Sequence, residues 1–564
     1  MNEEQKNTSK IFPDIEPDYN EWPIVKISRA RKKIIDEVVE STLQAIIKKH
    51  PTESDLQEVL AKAVYLEKAR ISGRVWSTDP KDDTEFWNSI KSKLVKADQQ
   101  NNKNIDDEAA LLREIIYRYA EEISGHFDIR TYRFAQRLVP FVFNRLLNST
   151  RSKEFIRLFG NEKGLLKRIN LVGETEQVRT LAKKGTIIMV PTHVSNIDSI
   201  TVGWAISASG LPPFLYGAGL NLFSVKLLAF FMKRLGAYKL DRRKKNSIYL
   251  EALKQYSTNV ISKDGHSLFF PGGTRSRSGE LESNLKLGLL GTALEAQRLN
   301  VLQANGGDYK KIFVAPVTLN YSFVLEAPEL IDEHLRNVGK ERYFIQADKY
   351  SSSYKILKLL AKFFTASADF TIAFGKCMDI FGNEVNEDGE SMDNTGRKID
   401  ITDYFKSDGV LSNDTQRDSE YARMLSEKIL DAFRKNNVAM AGHIVAFAAF
   451  HYLQNKHQNS DLYSVLRMPE EFRRIPQADL LHSVTLLQQE ILKLEKKGKI
   501  RLGPISHGPP LQVMNYGIKT LGIYHTVRPL LIDKKSGEIK CTDMKLLLFY
   551  HNHLVGYGLE NHVG

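Results

Sequence analysis

The chain has 564 residues, 42% hydrophobic and 26% charged. These proportions exclude a disordered or collagen-like protein and predict two or three domains, because one hydrophobic core rarely organises so long a chain. Two distant cysteines, Cys377 and Cys541, exclude a disulfide framework and suit a reducing compartment, while a net charge of +12 favours anionic partners such as phosphorylated metabolites, acidic lipid headgroups or nucleic acid.

The start, MNEEQKNTSKIF, lacks the basic and apolar segments of a secretory signal, which predicts a protein that begins in the cytoplasm. Residues 1–160 read as a helical N-terminal region, with apolar residues at three- and four-residue spacing in ISRARKKIIDEVVESTLQAIIKKH and DLQEVLAKAVYLEKARISG. RFAQRLVPFVFNRLL (133–147) mixes bulky apolar residues with arginines around Pro140; it fits a kinked core helix, with a membrane-surface helix as the alternative.

From 165 to 385 the pattern changes. Short β-branched or aromatic runs (TIIMV, SLFF, KIFVAPVTLNY, DFTIAFG) alternate with helical stretches such as NSIYLEALKQYSTNVISK and KLGLLGTALEAQRL. The expected class is α/β, a mainly parallel central sheet with surrounding helices, in which functional groups collect beyond strand ends. Residues 386–415, rich in Asp, Asn, Gly and Ser, read as a linker or surface excursion. Residues 416–564 form a mainly helical C-terminal region, where Tyr421, Leu425, Ile429 and Phe433 share one helical face. The longest apolar run, 438–453, is too short for a membrane span and carries two histidines. ADLLHSVTLLQQEILKLEKKGKIRLG imitates a winged-helix element, but terminal lysines also suit the helix dipole, so no nucleic acid is expected.

Chemistry concentrates in four segments. In VPTHVSNIDSI, His193 and Asp198 stand five apart, about 140° around a continuous helix, and could not meet on one. If 193–196 is a loop after a strand and Ser195 or Asn196 caps a new helix, Asp198 can fold back onto the ring and leave the other ring nitrogen as a base. Taken alone, the pair fits a polar turn as well as a dyad. FFPGGTRSRSGE (269–280) offers Gly272 and Gly273 for close backbone approach, hydroxyls at Thr274 and Ser276, and the planar cations of Arg275 and Arg277, a composition suited to phosphate; a basic surface turn is the plainer reading. It is no nucleotide P-loop, for no G-K-[ST] follows. LGAYKLDRRKK adds Arg242 and Arg243 as further phosphate ligands. In VAPVTLNYS, Pro316 cannot donate to a ladder and predicts a strand edge, end or bulge.

In this order the segments HVSNID, GAYKLDR, FPGGTRS and VAPV resemble the four blocks of the glycerophospholipid acyltransferase superfamily, H-x-x-x-x-D, G-x-x-x-x-x-R, F-x-E-G-T-R-S and V-P-V. TRSRSG is most similar to the glycerol-3-phosphate acyltransferase branch, which also carries flanking helical regions. Two positions depart from the pattern: Gly272 stands where the family has a glutamate that helps arrange the acceptor site, and H-V-S replaces the branch's H-R-S.

The resemblance implies that His193, assisted by Asp198, deprotonates an acceptor hydroxyl that attacks an acyl thioester, on coenzyme A or a carrier protein. It implies backbone N–H groups at the helix start or the Gly272–Gly273 turn for the oxyanion, and Arg242, Arg275, Ser276 and Arg277 for the acceptor phosphate. No metal or organic cofactor is implied. Glycerol 3-phosphate is the expected acceptor, with lysophosphatidate or a triose phosphate within the same chemistry; a non-catalytic lipid-binding protein on this scaffold is the rival reading. GLNLFSVKLLAFFMKRLGAYK (219–239) sets Leu222, Phe223, Leu227, Phe230 and Phe231 among Lys226, Lys233 and Arg234, as in a helix lying on an anionic membrane, or else a buried one. Peripheral attachment to the cytoplasmic leaflet is the expectation. His551, His553 and His562 in the tail are read as surface residues rather than metal ligands, and YGAGLNLF lacks the third glycine of a dinucleotide fingerprint.

Overall fold

The computed structural model describes residues 11–73, 76, 78–99, 105–135, 169–220, 226–338, 370–457, 461–523 and 525–563. Most of the 133–147 stretch, including Pro140, and Leu222 and Phe223 lie outside these residues.

The N-terminal region contributes α1 (Pro23–Arg29), α2 (Arg31–Lys49), α3 (Glu53–Ser72), α4 (Asp83–Gln99) and α5 (Ile105–Ile123). The periodicity works as expected: α5 buries Leu112, Ile115, Ile116, Tyr119, Ala120 and Ile123 along one stripe. The α/β part follows in chain order as β1 (Ile169–Gly173), α6 (Thr175–Ala182), β2 (Gly185–Pro191), α7 (Asp198–Ala208), β3 (Leu215–Gly219), α8 (Lys226–Arg234), β4 (Ala237–Leu240) and α9 (Ser247–Ser262). It continues through β5 (Ser267–Leu268), α10 (Leu287–Ala304), β6 (Lys311–Tyr321), α11 (Ala327–Val338) and β7 (Phe370–Phe374). The seven strands form one sheet in the order β1-β7-β6-β2-β5-β3-β4. All neighbours are parallel except β6 and β7.

The sheet has a core on each face, and alternate residues of β2 and β6 supply them. Ile188, Val190, Ile312 and Val314 point into a core shared with α2, α3, α5, α9 and α10, and Ile187, Met189, Phe313 and Ala315 point into the other. That second core continues into the C-terminal helices α13 (Ala441–Lys456), α14 (Leu462–Leu466), α15 (Gln477–Lys496), α16 (Pro510–Thr520) and α17 (Met544–His551). Between β7 and these helices in sequence come a three-stranded meander, β8 (Glu384–Val385), β9 (Ser391–Met392) and β10 (Lys398–Ile399), and then α12 (Thr415–Asn436), whose Leu425, Ile429 and Phe433 are buried in the first core. The apolar run 438–453 is thus a core helix, and α15 buries Leu480, Val484, Leu487 and Ile491.

One local expectation is narrowed to a single alternative, the bulge, and another needs correcting. Pro316 is not at an edge: β6 lies between β2 and β7, and Pro316 pairs in register with Val190. Its missing N–H is tolerated because the ladder with the β7 segment is interrupted there. The pairs Val317–Phe374 and Val314–Met378 leave three residues facing two, a bulge closed by the Gly375 N–H donating to the Pro316 carbonyl at 2.8 Å. His551 and His553 are buried, not surface residues. His551 Nε2 lies 3.0 Å from His451 Nε2, and His553 Nε2 lies 3.1 Å from Asn320 Oδ1. Among the described residues no group of three His, Cys, Asp or Glu could hold a metal ion.

Candidate active site

Because β2, β3, β4, β5 and β6 run parallel, the segments leaving their carboxyl ends gather at one edge of the sheet. His193 follows β2, Arg242 and Arg243 follow β4, and the Phe270–Lys286 loop follows β5. Three stretches far apart in sequence are gathered at one sheet edge by topology alone.

A helix does begin between His193 and Asp198, at Asp198 itself. Its cap position is Ile197, which offers no side-chain bond, so neither Ser195 nor Asn196 plays the expected role. The carboxylate of Asp198, fully buried, folds back onto the loop before the helix. Oδ2 accepts from the N–H groups of Val194 and Ser195 at 2.6 and 2.8 Å and lies 2.8 Å from His193 Nδ1, while the Tyr321 hydroxyl donates to Oδ1 at 2.6 Å. Burial and the neighbouring Asp198 charge push the Tyr321 hydroxyl well above its ordinary range, which keeps it a donor.

His193 is held on every side but one. Phe270 stacks on its ring at 4.3 Å, Ser276 N–H donates to its carbonyl at 2.8 Å, and its own N–H donates to Glu282 Oε1 at 2.6 Å. Nε2 has no protein partner among the described residues, and the side chain keeps 20% of its surface exposed. With Nδ1 engaged by a carboxylate, Nε2 is the nitrogen able to take a proton.

Ser195 and Asn196 instead meet Glu326, a buried carboxylate just before α11. Ser195 Oγ donates to it at 3.0 Å and Asn196 N–H at 2.7 Å. Burial raises the Glu326 carboxyl, and Arg275, 3.7 Å away, opposes the rise. The N–H groups of residues 194–196 are therefore already engaged, as is that of Gly273, which donates to Phe270. Among the N–H groups of the helix start and the Gly272–Gly273 turn, these four are engaged within the protein.

The cations separate into two kinds. Arg243 is locked between Asp79 and Asp241 and lies over the Trp76 ring at 4.4 Å, so it is architectural. Arg277 reaches to Glu333 of α11 at 3.2 Å. Arg242 donates to the Gly273 carbonyl, and crowding by protein and then the Arg275 charge lower its pKa. Two like charges held together are the usual mark of an anion subsite. Gly273 has φ of 76°, a left-handed turn that favours glycine, and Gly279 at φ 86° lies so near the Phe549 carbonyl that a Cβ would sit 2.0 Å from it. Asn552 binds the Ser278 carbonyl at 2.9 Å, so the C-terminal segment clamps the far end of this loop. Thr274 is exposed, Gly272 faces Glu282, and Pro316 supports the strand beneath without reaching His193.

The sequence pattern did not disclose Tyr321, Glu326 or Glu282. Tyr321 ends the strand that carries Pro316, which is the one signal that could have found it; the two glutamates belong to no spacing pattern with His193.

Residues 171–320 match the Acyltransferase family model. A glycerol-3-phosphate acyltransferase from Histophilus somni (strain 129Pt) is 27% identical over 248 residues, 44% of this chain but only 27% of that protein. The match thus spans about a quarter of the relative's length. With three of the four blocks brought to one sheet edge around an oriented histidine, the α/β part of this chain is similar to the Acyltransferase family and, over 248 residues, to a glycerol-3-phosphate acyltransferase.

Proposed function

We propose that the protein moves a fatty acyl group from a thioester, on coenzyme A or acyl carrier protein, to the hydroxyl of a phosphorylated acceptor, glycerol 3-phosphate foremost, in phospholipid synthesis. The observation that carries this reading is the pairing of His193 Nδ1 with buried Asp198 while Nε2 stays unpaired in the same site as Arg242 and Arg275. Nε2 takes the hydroxyl proton as the oxygen attacks the thioester carbonyl. The tetrahedral intermediate collapses with cleavage of the C–S bond, and the imidazolium returns the proton to the departing thiolate. Asp198 fixes the tautomer and stabilises the imidazolium; Arg242 and Arg275 hold the acceptor phosphate so that its hydroxyl faces the histidine.

The test is thiol release with long-chain acyl-CoA or acyl carrier protein across phosphorylated acceptors. His193→Ala should lower acceptor-dependent release by about 10³-fold or more. Equal release by variant and wild type refutes the mechanism, and no acceptor-dependent release by wild type with either carrier favours the lipid-binding alternative.

Attachment to the cytoplasmic face of an anionic membrane is part of the same proposal. Phe230 and Phe134 are exposed, Phe134 stacks on Phe231 at 6.3 Å, and Arg234 lies over the Phe230 ring at 4.0 Å, an apolar surface edged by cations. No helix among the described residues is long and apolar enough to cross a membrane. Flotation with vesicles containing anionic lipid, lost in Phe134→Ser/Phe230→Ser, tests the attachment.

A further inference from the structure

Gly272 stands where the resemblance places a glutamate, yet the space beside it is not empty. A Cβ built on Gly272 would lie 2.9 Å from Cγ and 3.3 Å from Oε1 of Glu282. A carboxylate therefore already fills the volume that a side chain at 272 would enter, arriving from ten residues further along the same loop. The route is set by local structure: the Phe270–Gly273 turn is closed by the Gly273 N–H, and the Lys286 N–H returns to the Pro271 carbonyl at 2.7 Å, which folds Glu282 back over the turn.

The carboxylate has a definite task. Glu282 Oε1 accepts the His193 N–H at 2.6 Å, and the Ser276 N–H, from the same loop, donates to the His193 carbonyl at 2.8 Å. The main chain of His193 is held from both sides by the loop that bears Arg275. Asp198 controls the ring, and Glu282 with Ser276 controls where the ring is mounted. We propose that Glu282 is a positioning residue that replaces, from a different sequence position, the glutamate missing at 272, and fixes the distance between the histidine base and the arginines that hold the acceptor. The two positions compete for one volume: either one can supply the carboxylate, and a side chain at 272 would require Glu282 to move.

Burial pushes the Glu282 carboxyl up to about 7, against the hydrogen bond from His193 and assisted by the Asp198 charge. Such a group is costly to keep in that place, which fits a local task better than general stability.

The inference rests on the acyl-transfer reading, and four proteins test it: wild type, Glu282→Ala, Gly272→Glu, and the double variant Gly272→Glu/Glu282→Ala. Acceptor-dependent thiol release should fall by roughly 10²-fold in kcat for each single variant, with acceptor KM changed by less than about threefold and thermal midpoint nearly unchanged. The double variant should recover to within about threefold of wild type. Full activity of Glu282→Ala, or a double variant no better than the single ones, overturns the proposal. Hydrogen exchange of the peptide containing 192–198 is a second readout that needs no substrate: exchange should quicken about tenfold in Glu282→Ala and return in the double variant. If wild type proves inactive on every acceptor, the acyl-transfer reading fails and the exchange result alone decides; unchanged exchange in Glu282→Ala then overturns the carboxylate replacement as well.

Discussion

Two neighbouring loops spend their charges differently. The Asp241–Asn246 turn after β4 balances nearly everything it carries: Arg243 with Asp79 and Asp241, Lys244 with Glu122, and Asn246 with Glu67 and Tyr119. Those partners come from the N-terminal helices and the turns between them, so this loop fastens the helical region to the sheet. The Gly272–Gly279 loop is matched less closely. Its Arg275 lies 3.7 Å from Glu326 and its Arg277 3.2 Å from Glu333, yet Arg275 also comes near enough to Arg242, which meets a carbonyl, that burial and then the Arg275 charge lower the Arg242 pKa. Matched buried charge builds architecture, whereas like charges held near one another raise the local positive potential, which is what the proposed acceptor phosphate would use.

Removing the mismatched pair should produce the largest change. Arg242→Ala/Arg275→Ala should lower kcat/KM for a phosphorylated acceptor by about 10³-fold, mostly through KM, while stability to denaturant changes little, because the lost repulsion offsets the lost Arg275–Glu326 pair. Steady-state kinetics and urea unfolding check this; a large stability loss would place these arginines with the architectural group. Arg243→Ala should show the opposite signature, a loss of about 2–4 kcal/mol from leaving Asp79 and Asp241 without their cation, measured by urea unfolding.

The carboxylate beside the mismatched loop adds a pH dependence. Glu282 shifts from an ordinary 4.5 to about 7 in the folded protein. The folded state therefore holds that proton more tightly than the unfolded chain. Its contribution to stability is complete below about 4.5 and is lost as pH rises through about 7. Glu282→Gln cannot ionise, so its thermal midpoint should gain on wild type between pH 5 and 8; a constant gap across that range would refute the shift. The smallest effect belongs to Arg277→Ala. Its ion pair with Glu333 is at the surface, so stability should change by less than about 1 kcal/mol and acceptor KM by less than about twofold.

The strands with β-branched or aromatic runs, β2, β6 and β7, were legible because each is a buried strand with a near-continuous apolar face. The edge strand β4 and the short β3 and β1 were not, since AYKL, LYGAG and INLVG carry no strong strand signal and are stabilised by neighbours. SLFF was read as a strand, and only Ser267 and Leu268 pair, because Phe269 and Phe270 already turn toward the site. Of the site itself, the dyad and the two facing arginines could be read, since their chemistry recurs at fixed spacing. Ser195 as a cap could not be excluded by sequence, for the preference of serine for that position is general, and here Glu326 captures its hydroxyl from another element.

Composition, periodicity and four short motifs determined the α/β class, the order of the blocks and the candidate base, because these depend on local spacing and on which residue types can do the chemistry. Only the tertiary structure decided that Arg243 is locked between two carboxylates while Arg242 meets a carbonyl, why a proline is tolerated in a central strand, and that Glu282 holds the His193 N–H beside Gly272. Each of those outcomes depends on what a distant segment places within a few ångströms, and hydrogen bonding, burial and repulsion act on that proximity whatever the separation in sequence.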